Sequence, residues 1–158
     1  MQKNTITWPN SFNPKYFPVH AYNELFIPAR PEKIWDILIN ANRWPEWYKN
    51  SKKIKIGNGK TILEAGTEFE WVTFYLKVKS KVLIYNPPFD LGWDAKEFAA
   101  NGFHGWKLIP QNNGTLVVTE EVQKGWGARL LKPILVKSLQ HWHQKWLEGM
   151  ETLTKIKQ

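Results

Sequence analysis

The sequence predicts an α+β domain in which a curved antiparallel sheet of seven strands wraps around one long C-terminal helix. Between residues 19 and 123, short segments alternate apolar and polar side chains, which is typical of strands with one buried face. Two short helical segments follow the first strand. From Leu131 to Leu153 the apolar spacing becomes helical, and a helix of that length requires a broad apolar surface on which to lie.

Composition limits the class of protein. The 158 residues suit one domain, and the ten Trp, eight Phe and five Tyr favour a large apolar core or pocket. The absence of Cys excludes disulfides and thiolate metal sites. No apolar run reaches the roughly 20 residues of a membrane span, and residues 1–20 do not resemble a signal peptide. We therefore expect a cytoplasmic protein, with an irregular, aromatic and Pro-rich arm at 1–18 and one domain at 19–156.

The elements follow in order along the chain. Pro31 suits the first turn of a helix, where its missing N–H costs nothing, and this helix is predicted to end near Asn40. A second short helix is predicted to start around Asn42, before Pro45. The strands are predicted at 19–27, 52–56, 66–73, 76–84, 89–95, 102–110 and 115–123. The apolar stripe of the last helix is predicted to comprise Leu131, Leu135, Ser138, Trp142, Trp146, Gly149 and Leu153.

A curved sheet around one helix leaves space where its curvature is greatest. The short helices would close one edge of that space, so Trp35, Trp44 and Trp47 are predicted to seal the gap between sheet and helix. The alternative is that these tryptophans belong to an ordinary packed core.

The last hairpin, around residues 111–114, contains the strongest candidate site. If Leu108 lies opposite Leu116, then His104 lies opposite Glu120 on the inner face. A neutral His beside a partly desolvated carboxylate can act as acid and base, or can orient a ligand's hydroxyl or carbonyl. A structural pair beside the pocket is the alternative. A register shift of one residue would replace Glu120 by Glu121.

Other residue patterns exclude several classes of site. His141 and His143 are two residues apart on a helix and point in different directions, so we expect no metal. Dinucleotide and phosphate-loop fingerprints are absent from the sequence, and we expect no cofactor.

The net charge of +8 favours acidic partners, but inward-facing aromatics do not suit nucleic acid. Lysines 77, 79 and 81 are predicted to form an exposed row that can contact an anionic membrane surface transiently.

Five segments in this order resemble the START-like (SRPBCC) superfamily, and its polyketide cyclase/dehydrase branch in particular. They are IPARPEKIWDILINANRWPEWYKN, AGTEFEW, PPFDLGW, HGWKLIP with GTLVVTEEVQKG, and a last helix with WLEGME. The resemblance covers about residues 19–156. It implies a helix-grip fold with a cavity for a hydrophobic small molecule, and no shared set of catalytic residues.

The match of strand positions to this superfamily implies a pocket-lining role for Trp71, Trp93, His104, Trp106 and Glu120. With the residues that the patterns place inward, the candidate ligand-binding residues are Trp35, Phe69, Trp71, Val78, Ser80, Val82, Leu91, Trp93, His104, Trp106, Val118, Glu120, Leu135, Ser138 and Trp142.

Three functions are compatible with these patterns. The first is binding of a lipid-, quinone- or polyketide-like molecule between sheet and helix. The second is a cyclase or dehydratase that acts on an aromatic polyketide-like substrate with His104 and Glu120 as acid and base. The third is a co-chaperone-like interaction module that uses the basic outer strand.

Overall fold

The computed structural model describes residues 4–156, which form one antiparallel sheet with helices on its concave face. Its strands are β1 (Val19–Ile27), β2 (Lys52–Ile56), β3 (Glu68–Thr73), β4 (Leu76–Asn86), β5 (Asp90–Lys96), β6 (Asn101–Gln111) and β7 (Gly114–Lys124). They lie in the order β1-β7-β6-β5-β4-β3-β2, so β2 to β7 form a continuous meander. The predicted fold class is confirmed.

The α-helices in this part of the chain are α1 (Pro31–Ile39), α2 (Trp44–Trp47), α3 (Trp126–Leu130) and α4 (Lys132–Lys155), and three single 3-10 turns lie at Asn10–Phe12, Pro14–Tyr16 and Ala41–Arg43. Pro31 occupies the first turn of α1, as the sequence predicts. The short α3 is additional: Leu131 separates it from α4, and Pro133 lies in the first turn of α4. Because proline lacks the N–H that a continuous helix would use there, the helix restarts instead. Within residues 4–156, no helix has the length and apolarity needed to cross a bilayer.

Alternation along the strands separates two faces of the sheet. Leu91 pairs with Trp106 and Trp93 pairs with His104, and all four are buried on the concave face. Paired residues share a face in an antiparallel sheet, so one apolar surface runs across the central strands. This surface is the floor on which α4 lies.

The face that α4 turns toward the sheet differs from the predicted stripe. Its buried residues are Leu139, His143, Trp146, Leu147 and Met150, whereas Leu131 is exposed and Leu135, Ser138 and Trp142 are half-buried. The prediction therefore placed the centre of the face about one residue too early. The predicted stripe left out His143, which lies in the middle of this face with buried leucines four residues before and after it.

Tryptophan side chains fill much of the space between sheet and α4. Trp44 of α2 contacts Trp71, Trp93 and Trp146, with ring centroids 4.9–5.6 Å apart. Trp106 adds a fifth ring, 5.1 Å from Trp146. Trp44 thus lies in the centre of the core, which is the alternative to the predicted seal at its edge. Trp35 is also buried in this core, and Trp47 packs against it.

Residues 4–18 of the N-terminal arm cover the convex face of the sheet, and residues 1–3 of the predicted arm lie outside the part of the chain that the structure describes. Ile6 and Phe17 are buried there against Phe103, Val118 and Val122, with Trp8 and Phe12 packed at the margin. Gly105 makes room for the arm: a Cβ at this position would lie 2.3 Å from Ile6 Cδ1. The sheet therefore has a small second core on its outer side.

The predicted lysine row is exposed, as expected, but its charges are paired. Lys77 and Lys79 lie 2.9 and 3.7 Å from the carboxylate of Glu70, and Lys81 lies 3.3 Å from Glu68. These carboxylates belong to the neighbouring strand β3. The row is consequently a mixed-charge surface and not a basic patch.

Candidate functional site

A cavity of about 340 Å³ lies at one end of the sheet, beside the tryptophan core. Its walls come from β3 to β7, from α3, from the first four turns of α4 and from Tyr48 after α2. Most of its lining is apolar, with Trp71, Phe74, Leu135 and Trp146 among the larger side chains. The cavity remains open because the core tryptophans fill only the other part of the space between sheet and helix.

Exposed apolar side chains surround the mouth of the cavity. Phe98, in the β5–β6 connection, is 94% exposed and packs edge-on against Trp126, which is 62% exposed. Leu76, Leu130 and Leu131 complete the rim and are also exposed. A small molecule that enters here meets apolar surface from the first contact.

Three ionisable side chains lie together at the buried end of the cavity, and we call His104, Glu121 and His143 the polar triad. Glu121 Oε2 is 3.0 Å from His143 Nε2 and 3.5 Å from His104 Nδ1. The two imidazole rings stack with centroids 4.6 Å apart. The other oxygen of Glu121 accepts a hydrogen bond from the side-chain amide of Gln123.

The hydrogen bonds around His104 assign its protonation. Thr119 donates its hydroxyl proton to the Gly105 carbonyl at 3.2 Å, so its oxygen accepts from His104 Nε2–H at 2.8 Å. Neutral His104 then carries no proton on Nδ1. This nitrogen faces Glu121, at the end of the cavity.

Burial and neighbouring groups keep this end negative. Burial, and secondly the nearby His143, lower the pKa of His104 from its ordinary 6.5 to about 3, although Glu121 opposes the shift. Burial alone would raise the pKa of Glu121, but the hydrogen bond from His143 and the two imidazoles outweigh it and lower this pKa. At neutral pH the triad therefore contains an ionised carboxylate beside a neutral His104.

The predicted partner of His104 was wrong by one residue. The hairpin turn consists of Asn112 and Asn113 alone, so Gln111 pairs with Gly114 and every pair lies one residue later on β7 than predicted. His104 consequently lies opposite Glu121.

The same shift moves two predicted site residues to the convex face. Val118 packs under the arm, and Glu120 accepts hydrogen bonds from Thr5 Oγ1, Ile6 N and His20 Nε2. Because successive side chains of a strand point to opposite faces, neither residue reaches the cavity. The predicted ligand-binding role of Val118 and Glu120 is therefore wrong, and so is the predicted acid–base role of Glu120.

The other predicted ligand-binding residues divide into two groups. Trp71, Val78, His104 and Leu135 line the cavity. The rest lie outside this lining: Ser80 accepts a hydrogen bond from Trp71 Nε1 at 3.2 Å, Ser138 is half-buried on α4, and Trp35, Phe69, Val82, Leu91, Trp93, Trp106 and Trp142 belong to or pack against the main core.

Sequence reasoning missed His143 and chose the wrong carboxylate. A signal for His143 existed, because Leu139, His143, Leu147 and Met150 recur at intervals of three and four residues and thus share one helical face. A polar residue in the middle of such a face has to find a partner inside the protein.

The polar triad also has the composition of a metal site. One ligand atom from each residue lies within 4.8 Å of the others, and two imidazoles with one carboxylate suit Zn²⁺ or Fe²⁺. A histidine that binds a metal usually forms a hydrogen bond through its other ring nitrogen. His104 does so through Nε2, which is hydrogen-bonded to Thr119, whereas His143 Nδ1 has no hydrogen-bond partner. The residues thus fit a metal only in part.

Acid is expected to destabilise the protein through His104. The unfolded chain binds a proton there near pH 6.5, whereas the native state does not until about pH 3, so stability falls as the pH drops below 6.5. The expected slope from this residue is up to about 1.4 kcal/mol per pH unit. Urea unfolding at pH 7, 6 and 5 measures it. His104→Gln should reduce the dependence of stability on pH, whereas His141→Gln, on the exposed side of α4, should not. The same pH dependence in the native protein and in both variants would contradict a lowered pKa for His104.

Comparison with known proteins places the chain in a family. Residues 18–155 match the family model described as polyketide cyclase / dehydrase and lipid transport. No curated protein matches the chain. Among solved structures, a hypothetical protein from Helicobacter pylori is 25% identical with a TM-score of 0.89, over 98% of this chain and 99% of that chain.

Two further structures show the same fold at lower identity. The di-domain ARO/CYC StfQ from the steffimycin biosynthetic pathway has a TM-score of 0.73 at 13% identity, over 85% of this chain and 50% of that chain. Truncated norcoclaurine synthase from Thalictrum flavum has a TM-score of 0.68 at 13% identity, over 88% and 94%. The predicted resemblance to the START-like superfamily is confirmed, and the chain belongs to the polyketide cyclase / dehydrase and lipid transport family.

Proposed function

We propose that this protein binds a hydrophobic small molecule, of lipid-, quinone- or polyketide-like character, in the cavity between the sheet and α4. The observation that carries the proposal is an apolar space of about 340 Å³ that ends in a buried polar triad. Ligand sites in proteins commonly occupy about 300–1,000 Å³ and combine apolar walls with a few convergent polar groups. Membership of the family supports the same class of ligand.

The arrangement of the cavity suggests how the ligand is oriented. Its apolar part would contact Trp71, Phe74 and Leu135, while a polar group would reach His104 and Glu121. The exposed rim of Phe98 and Trp126 would provide the entrance. The lack of apolar cover over this rim is consistent with a site that a ligand can enter and leave.

Acid–base turnover is a second candidate, and the unprotonated His104 Nδ1 favours it. A neutral imidazole nitrogen at the end of an apolar cavity can remove a proton from a bound ligand, and Glu121 would stabilise the imidazolium that results. In this mechanism Glu121 takes the place that the sequence assigned to Glu120. Mass spectrometry of recovered ligand separates the two candidates, because cyclisation with dehydration removes one water whereas binding returns the ligand unchanged.

Filling part of the cavity should weaken ligand binding. Leu135 lines the cavity from α4, so Leu135→Trp is expected to fill part of it and to weaken binding of a neutral apolar dye such as Nile red at least tenfold. Ile134→Trp is the matched control, since Ile134 is the preceding residue and is exposed. Fluorescence titration measures both, with the melting temperature of each variant as a check on folding. Equal affinities for the two variants would contradict the proposal.

A further inference from the structure

The cavity carries an unusual charge for this protein. The chain has 22 Lys and Arg residues, yet none of them lines the cavity among residues 4–156. The charged residues of the lining are two carboxylic acids, the buried Glu121 and the half-buried Glu97 beside Phe98. A basic protein has thus placed its ligand site in an acidic pocket.

The carboxylate of Glu121 has no strong cation beside it. Within the described residues, no Lys or Arg nitrogen lies within 4 Å of its oxygens, and its contacts are His104, His143 and the Gln123 amide. A buried charge is costly unless a counter-charge or several donors compensate it. A ligand that brings a donor or a positive charge would add to the hydrogen bonds from His143 and Gln123 that stabilise this charge.

Hydrogen bonding around the polar triad makes Glu121 its strongest acceptor. His104 donates through Nε2 to Thr119, and its Nδ1 faces Glu121 Oε2 at 3.5 Å. His143 Nε2 lies 3.0 Å from the same oxygen, and Trp146 Nε1 in the cavity wall is a buried donor without a partner. An ionised carboxylate only accepts hydrogen bonds, so the group that it can bind on a ligand is a donor.

We infer that the ligand carries a hydrogen-bond donor without negative charge, a hydroxyl or an ammonium group, at the end that reaches the triad. The inference rests on the proposed function and narrows its ligand class to neutral or cationic amphiphiles. Carboxylates and other anions are disfavoured, because their charge would lie beside Glu121 with no Lys or Arg in the lining. The rings of Trp71 and Trp146 in the cavity wall add to the attraction for a cation.

Three naphthalene compounds that differ only in the polar group test this inference. The neutral 2-naphthol, the cationic 2-naphthylmethylamine and the anionic 2-naphthoate would compete with Nile red at pH 7.5, with EDTA present to remove metal ions. We expect the alcohol and the amine to displace the dye at concentrations at least tenfold below that of the naphthoate. Equal competition by naphthoate would overturn the inference.

Two variants one residue apart locate the discrimination. Glu121→Gln should reduce the preference for the amine over naphthoate at least tenfold, whereas Glu120→Gln, on the opposite face of β7, should leave it unchanged. An unchanged preference in Glu121→Gln would overturn the inference. Should that variant fail to fold, the ranking of the three compounds on the native protein still decides.

The outcome also separates the inference from the proposed function. Absence of dye binding, or equal dye binding by the Leu135→Trp and Ile134→Trp proteins, would reject the cavity as a ligand site. Dye binding that naphthoate and naphthol displace equally well would leave the cavity as a ligand site and reject the donor preference alone.

Discussion

Replacing Trp44 by alanine is expected to lower the free energy of unfolding by about 3–5 kcal/mol, the usual cost of removing a large buried aromatic side chain. Trp44 is fully buried and contacts Trp71, Trp93 and Trp146 from three directions. Its Nε1 donates to the Leu38 carbonyl at 3.0 Å, so the substitution also leaves a buried acceptor without a partner.

Urea unfolding at 25 °C measures this loss, which is a large part of the about 5–15 kcal/mol typical of a native domain. Trp126→Ala is the control, because Trp126 lies at the exposed rim and its removal should change stability by less than about 0.5 kcal/mol. A loss below about 1 kcal/mol for Trp44→Ala would mean that the ring is not the centre of the core.

Replacing Glu120 by alanine is expected to cost about 3 kcal/mol and to loosen the N-terminal arm. The Glu120 carboxylate accepts from Thr5 Oγ1 at 2.6 Å, from Ile6 N at 3.1 Å and from His20 Nε2 at 2.6 Å. Hydrogen bonds to a charged group contribute about 1.5–3 kcal/mol each before the arm relaxes. These bonds outweigh the effect of burial and lower the pKa of Glu120, so its contribution is complete at pH 7 and is lost as the pH falls below 4.5.

Limited proteolysis with trypsin gives a second measurement of the same change. Lys15 lies on the arm, and cleavage after it should accelerate when the arm detaches from the sheet. Glu70→Ala is the control: its carboxylate lies at the surface and pairs with Lys77, and such surface pairs contribute little to stability. Unchanged cleavage at Lys15 in Glu120→Ala would show that other contacts hold the arm.

The strands were predictable because one face of the sheet is apolar and the other is not. Lysines 77, 79 and 81 alternate with Val78 and Ser80, and both sets lie on the faces that this alternation predicts. The register of the last hairpin was harder to predict, because Val117, Val118 and Val122 are all buried although they lie on both faces of β7. The arm covers the outer face of β7, so apolarity no longer distinguishes the two faces, and the register then depends on the length of the turn alone.

The site could be predicted in kind but not in detail. His104 was assigned to the inner face correctly because Trp106 and Leu108, two and four residues further along the same strand, are apolar and buried there. His143 was missed because its partner, Glu121, is 22 residues away and belongs to a different element. The rotamers and packing of the tryptophans decide how much of the space between sheet and α4 they fill. The hydrophobic periodicity of the sequence does not contain this information.

The contacts among the tryptophans have an optical consequence. Indole rings whose centroids lie 4.9–6.2 Å apart couple their electronic transitions. The native protein should therefore show strong near-ultraviolet circular dichroism. A compact state that keeps its helices but loses fixed side-chain packing would lose this signal first. The molecule therefore carries its own label-free spectroscopic marker of an ordered interior.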